Sequence, residues 1–149
     1  MLKNLAEVAS FMEREWLASF VTVDAENKPH VVPVWFTHDD GKFHVQTGRK
    51  SMKARNIKIN DNVAVAVYCG EEAVIIRGKG RVVEGEKEFV KLTQRHIDKY
   101  NRLFNIAHKT EGIEYIKLDE QGRDSLGIPL FDSKVRCVIE VTPDKVIFW

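Results

Sequence analysis

Between Phe43 and Lys58 the chain reads Phe-His-Val-Gln-Thr-Gly-Arg-Lys-Ser-Met-Lys-Ala-Arg-Asn-Ile-Lys, with five cationic side chains from Arg49 onward and no acidic one. Hydroxyl, ammonium and guanidinium groups in this order suit the binding of an anion. Phe43 and Val45 alternate with His44 and Gln46, which predicts a short strand. The strand breaks at Gly48, and Ser51 is a good helix N-cap. A helix opening there offers unpaired N–H groups and the positive end of its dipole. The ligand expected is a phosphate monoester. Taken alone, the same stretch also fits a basic helix face turned to solvent.

The strand before it bears on that choice. His30 to Thr37, His-Val-Val-Pro-Val-Trp-Phe-Thr, carries Pro33 in its interior. Proline cannot donate to a ladder, so it belongs at an edge, at a bulge, or where a ligand takes a neighbour's place. His38-Asp39-Asp40-Gly41-Lys42 reads as a hairpin loop. Pro33–Phe36 is therefore expected beside Phe43–Thr47, which brings the proline to the anion site.

The remaining elements must hold these two strands. Leu5, Val8, Ala9 and Met12 recur at helical spacing, and Trp16–Asp24 reads as a first strand. Residues 62–68 and 73–84 follow as strands, with Gly78 and Gly80 marking a bend or bulge of the kind that closes barrels. A helix is expected from Glu86 to Ala107, its stripe of Phe89, Leu92, Ile97, Tyr100, Leu103 and Phe104 reading as core or subunit interface. Residues 108–133 read as loop with room for one short helix. Val135–Val141 and Lys145–Trp149 read as two strands with a turn at Pro143-Asp144. Six or seven short strands joined mostly by tight turns, with flanking helices, predict a mainly β fold, a small antiparallel split barrel.

A length of 149 residues suits one domain spanning the whole chain. A net charge of +1 argues against a protein built to bind a nucleic-acid backbone, so the basic run is local and suits a small anion. Cys69 and Cys137 could pair but read more simply as buried thiols, and neither has metal-ligand spacing. Glu7, Glu13 and Glu15 interrupt any signal-peptide core, and no long apolar run spans a membrane; the expectation is a soluble cytoplasmic protein. His30, His38, His44, His96 and His108 are scattered, and no nucleophile or acid–base pair stands out.

The order helix, strand, Pro29-His30-Val31-Val32-Pro33-Val34-Trp35-Phe36, hairpin, then Thr47-x3-Ser51-x-Lys53-x-Arg55-Asn56 resembles the pyridoxamine 5′-phosphate oxidase-like family of FMN-binding split barrels. The resemblance is good over residues 5–85 and looser over the final strands. It implies a homodimer with FMN in a groove at the subunit interface. It implies that Pro33, Val34 and Trp35 run along the isoalloxazine and ribityl side, and that Gln46 and Thr47 meet the ribityl chain and phosphate. Ser51 and Lys53 would hold the phosphate, with Lys50 and Arg55 as further cations. Met52 stands where the biosynthetic oxidase usually has an arginine, and this departure weakens pyridoxamine phosphate as substrate while leaving the flavin.

The first expectation is thus an FMN-dependent oxidoreductase acting on an unidentified small molecule. A second places the deazaflavin F420 in the same groove, its acidic tail met by Arg49, Lys50, Arg55 and Lys58. A third is a non-catalytic flavin-binding or redox-sensing module, and the last a small nucleic-acid-binding barrel. The wall between subunits is expected from the second and fifth strands in chain order, with Trp149.

Overall fold

The computed structural model describes residues 1–149 as three helices and seven strands: α1 Leu5–Arg14, β1 Ala18–Val23, β2 Pro29–Val34, β3 Thr37–Asp39, β4 Lys42–Gly48, α2 Met52–Ile59, β5 Asn62–Cys69, β6 Glu72–Val82, α3 Glu86–His108 and β7 Arg136–Phe148. All strand pairs are antiparallel, in the order β2-β1-β5-β6-β7-β4-β3. β2 and β3 therefore lie at opposite edges, yet only Trp35 and Phe36 separate them in the chain. Three residue steps reach at most ~11 Å, so the sheet must curl until its edges meet at that corner. This is the split-barrel architecture expected from the sequence.

Alternation along the strands explains the filling. Phe20, Phe43, Val45, Val65, Ile76, Ile139 and Val141 point inward and are buried, joined by Phe11 and Met12 of α1 and by Ala54 and Ile57 of α2. In α1 the buried face is Val8, Phe11 and Met12, while Leu5 is 67% exposed, so the apolar stripe is rotated from the one expected. α3 packs outside, where Phe89 and Leu92 meet Val83 and Val138.

Four local expectations are corrected. The expected strand 30–37 stops at Val34 and restarts at Thr37, so Pro33 pairs with Ser19 of β1 on the sheet edge, not with β4. Beside β4 lies β3, with Thr37 opposite His44. The two final strands are one, β7: Pro143 sits in a bulge opposite Gly78, where an added Cβ would lie 2.2 Å from the Thr142 carbonyl oxygen. The extra residue, Asp144, has no partner on β6, and the bulge it makes lets the strand pass the proline without a turn. Residues 109–135 contain no helix. Both cysteines are free, but only Cys137 is buried; Cys69 is exposed.

Segment 109–135 is instead built from aspartate turns. The Asp119 carboxylate accepts the N–H groups of Gln121 and Arg123, and that of Asp124 accepts those of Leu126 and Ile128, each at 2.9 Å. Asp24 does the same for Glu26 and Lys28 in the β1–β2 hairpin. A side-chain oxygen that satisfies two backbone donors lets a loop close with no helix or strand.

Candidate functional site

Ser51 caps α2 as expected: its hydroxyl oxygen accepts the Ala54 N–H at 3.3 Å. The first turn of α2 thus presents the N–H groups of Met52 and Lys53 with no intrahelical acceptor. Asn56 anchors the helix from within, donating from Nδ2 to the buried Thr22 hydroxyl at 3.0 Å. This bond explains how a helix of only eight residues, without an acid in its first turn, is held at a fixed angle to the barrel.

β7 brings a residue that the sequence reading did not single out. Its register sets Arg136 opposite Gly48 and Cys137 opposite Thr47, so Arg136 arrives at the foot of α2. Arg136 donates from Nε and Nη2 to Gln46 Oε1, at 3.1 and 2.6 Å, and Gln46 in turn donates to the Leu130 carbonyl at 2.6 Å. Arg49 donates to the Ser133 carbonyl at 2.8 Å. Pairing of the last strand with β4 was the signal that would have found Arg136.

The electrostatics of this corner are dominated by cations, with the Asp124 carboxylate the one acid that favours the charge of Arg136. Burial, then the Arg136 charge, lowers the pKa of Lys53; burial also lowers that of Arg136. Burial pushes the Cys137 thiol up, against the pull of Arg49, Arg136, Lys58 and Lys53 around it. Neither Lys53 nor Arg136 takes part in any ion pair of the molecule. A half-buried lysine disfavoured by the neighbouring Arg136 guanidinium, next to free helix N–H groups, forms a site whose charge is completed by an anion.

Against this corner opens a cavity of about 480 Å³ lined by Trp35, Gln46 and Arg136, by His96, Phe104 and His108 of α3, and by Tyr115, Ile116, Asp124, Ser125, Leu126, Ile128 and Leu130. Trp35 lies flat on Tyr100, with ring centroids 4.1 Å apart and planes at 9°. The backbone beneath Trp35 is pinned by α3. Phe36 N–H donates to the Tyr100 hydroxyl at 2.8 Å, and Lys99 Nζ donates to the Phe36 and Met12 carbonyls at 2.9 and 3.0 Å. The apolar stripe of α3, expected to be core or interface, thus divides: Phe89, Leu92, Ile97, Tyr100 and Leu103 are buried, whereas Phe104 is a cavity wall. No group of histidine, cysteine and acidic side chains could hold a metal ion.

The expected site residues fall into three groups. Trp35 and Gln46 line the cavity, and Ser51 and Lys53 stand at the cationic corner beside it. Thr47 is buried on the inward face shared with Phe43 and Val45, and Val34 is buried in the barrel core. Pro33, Lys50 and Met52 are exposed, Met52 by 46%.

Comparison with solved structures shows the same fold. A conserved hypothetical protein from Mycobacterium tuberculosis matches over 100% of this chain and 86% of its own, with 19% identity and a TM-score of 0.75. The heme storage protein HutZ from Vibrio cholerae matches over 98% and 94%, with 14% identity and a TM-score of 0.68. An F420 reductase matches over 93% and 94%, with 22% identity and a TM-score of 0.60. No curated protein matches the sequence. The family model for pyridoxamine 5′-phosphate oxidase matches residues 5–125, which carry β2, β4, α2 and α3, and the chain belongs to that family.

Proposed function

We propose that residues 1–149 form one FMN-binding split-barrel domain and that the protein is an FMN-dependent oxidoreductase acting on a small molecule. One observation carries this reading: Lys53 and Arg136, both half-buried and neither in an ion pair, flank the open N-terminus of α2 beside a cavity of about 480 Å³. A phosphate monoester supplies the missing charge, and a cavity of that size lies in the range of ~300–1,000 Å³ usual for ligand sites. Ser51, Lys53, Arg136 and the first-turn N–H groups would hold the phosphate, with Thr47 and Gln46 along the ribityl chain. Lys50, on the exposed side, adds charge to the approach, and Met52 presents its N–H rather than a guanidinium. Pro33 and Trp35, with the backbone of Val34, would border the ring. Bound FMN supplies the hydride chemistry, and the chain binds, orients and shields it.

A second subunit completes the groove in this reading. The outer face of β2-β1-β5-β6 carries the half-buried Val21, Val23, Ala64, Ala66 and Ile75 beside Val31, 62% exposed, and Trp149 is 44% exposed. An apolar sheet face of this kind suits an isologous contact with a copy of itself. No helix is long and apolar enough to cross a membrane, and a cytoplasmic location accords with the proposed chemistry.

F420 is the second reading, favoured by the likeness to an F420 reductase and by the outward-facing Lys50, Arg55 and Lys58 near the same corner. The test is the absorption spectrum of the purified protein and of the ligand released from it, followed by reconstitution with each cofactor. Stoichiometric FMN supports the first reading and F420 the second. A protein that binds neither overturns both. Turnover of a reduced nicotinamide donor by the loaded protein separates an enzyme from a flavin-binding sensor.

A further inference from the structure

We propose that His96 is a further cofactor-binding residue: its Nε2–H donates to the pyrimidinedione edge of the ring that FMN and F420 share, and so favours the reduced form of that ring. The proposal rests on the reading above, which puts the phosphate at the foot of α2, and adds what meets the far end of the same molecule.

One side chain joins the phosphate corner to the cavity. Arg136 Nη1 stands over Gly48, 3.6 Å from where a Cβ would lie, while Nε and Nη2 hold Gln46. Gln46 lines the cavity together with Trp35. A nucleotide anchored at Lys53 and running past Gln46 therefore ends in the cavity, against the rings of Trp35, Phe104 and Tyr115. Such walls favour a flat ring in offset or edge contact.

Most polar groups on these walls are already engaged. Gln46 gives Nε2 to the Leu130 carbonyl and Oε1 to Arg136. Asp124 Oδ1 accepts two N–H groups of its own turn, and the Tyr115 hydroxyl bonds to that of Thr110. His108 and Ser125 are exposed. His96 differs. Four buried side-chain atoms in the molecule lack a partner, in His30, His44, Thr93 and His96, and of these residues only His96 lines the cavity.

The unpartnered atom is Nδ1; Nε2, which also bonds to nothing in the chain, is the nitrogen left open. Burial, with the positive charges of Lys99 and Arg136, drives the His96 pKa down to about 4, so the ring is neutral near pH 7 and carries one proton. A buried N–H without an acceptor is rarer than a buried lone pair without a donor, which assigns that proton to Nε2. The ring is steadied by Trp35 and Tyr100, whose centroids lie 6.1 and 5.2 Å away. Reduction makes the pyrimidinedione edge anionic near neutral pH, and a hydrogen bond to an ionised acceptor is roughly twice as strong as one to a neutral acceptor. A fixed donor there, in the positive field of Arg136, binds the reduced ring more tightly than the oxidised one.

The experiment measures FMN affinity in both oxidation states, and the midpoint potential of the bound cofactor, in wild type, His96→Phe and His96→Gln; F420 replaces FMN if that is what the protein takes. His96→Phe should weaken the reduced cofactor about tenfold more than the oxidised, a fall of about 30 mV for a two-electron couple. His96→Gln keeps an N–H and should recover part of it. Riboflavin should show the same ring effect, which separates His96 from the phosphate corner. Nitrogen-15 spectra of the wild type, with the imidazole assigned through the backbone, should show the proton on Nε2 and a shift of that signal when FMN binds. A bound cofactor whose potential ignores His96→Phe, an equal loss in both oxidation states, or an imidazole signal unmoved by FMN overturns the proposal and leaves the flavin reading standing. A protein that takes neither cofactor overturns both. Should neither variant fold, the wild-type spectra decide.

Discussion

The Lys99 ammonium lies 2.9 Å from the Phe36 carbonyl oxygen and 3.7 Å from the centroid of the same residue's ring. With the Met12 carbonyl as its other acceptor, one buried lysine ties α3 to the end of α1 and to the corner that carries Trp35. Glu13, the acid that most favours its charge, pairs with Arg102 instead. The Tyr100 hydroxyl, 2.8 Å from the Trp16 carbonyl and 3.1 Å from that of Phe36, gives its single proton mainly to the nearer one. Lys99 is then the principal donor to Phe36, and the position of the cavity wall depends on it.

Burial lowers the Lys99 pKa to about 7, whereas the unfolded chain holds that proton to about pH 10.4. Between those values the unfolded state binds more protons, so stability rises with pH across the window and is lost as pH falls through 7. Lys99→Met should remove this rise, which can reach about 1.4 kcal/mol per pH unit. Urea unfolding of both proteins at about pH 7 and about pH 9.5 checks it; parallel pH dependences would refute it.

Lys53→Ala should weaken FMN roughly 30-fold or more, since truncating one side of a shielded charge-assisted pair costs on the order of 2–5 kcal/mol. Riboflavin, which lacks the phosphate, should bind poorly to the wild type and hardly change in the variant. Lys53→Glu should be worse for FMN than alanine. An FMN affinity untouched by Lys53→Ala would sink the assignment.

Gly78→Ala should destabilise by about 3 kcal/mol or more, because its Cβ would meet a backbone carbonyl oxygen at 2.2 Å that the β7 bulge cannot withdraw. Gly80→Ala should cost less: its Cβ would meet Ile57 Cδ1 at 3.0 Å, the tip of a side chain that can turn. Denaturation midpoints of the two variants test the order.

Val31→Glu should yield a monomer with an unchanged far-ultraviolet spectrum, since Val31 is exposed and faces Val21 across the β2–β1 pair. If the partner closes the groove, FMN affinity should fall with dimerisation. Sedimentation at micromolar concentration measures the first effect and flavin titration the second; a dimer that survives the charge places the contact elsewhere.

What was readable in the sequence was local. The Ser51 cap and the alternation of β4 depend on neighbours within a few residues, so they could be recognised before any tertiary contact was known. The break at Trp35 could not, because Val-Trp-Phe is β-forming and the backbone of Phe36 is held instead by Lys99 and Tyr100. Pro143 looked like a turn because the bulge that absorbs it is made by Gly78, on another strand. Asp-x-x-Gly at 119–122 and 124–127 was a usable turn signal for the segment that otherwise resisted reading. The α3 stripe announced an apolar face, but spacing alone cannot tell a packed Tyr100 from a cavity-facing Phe104.

The place of β7 in the sheet has a consequence for how the molecule is made. It is the only strand bonded both to the β2-β1-β5-β6 group and to the β4-β3 hairpin, and it holds the highest residue numbers of any element. A nascent chain that has not yet released residues 136–148 from the ribosome has two unconnected β-pieces and no Arg136 beneath α2. Anion binding should therefore arise only once residues 136–148 have emerged, since the pairing that brings Arg136 opposite Gly48 waits for β7. Pulse-labelled hydrogen exchange should find the β4 amides gaining protection together with those of β7, after those shared by β1 and β5.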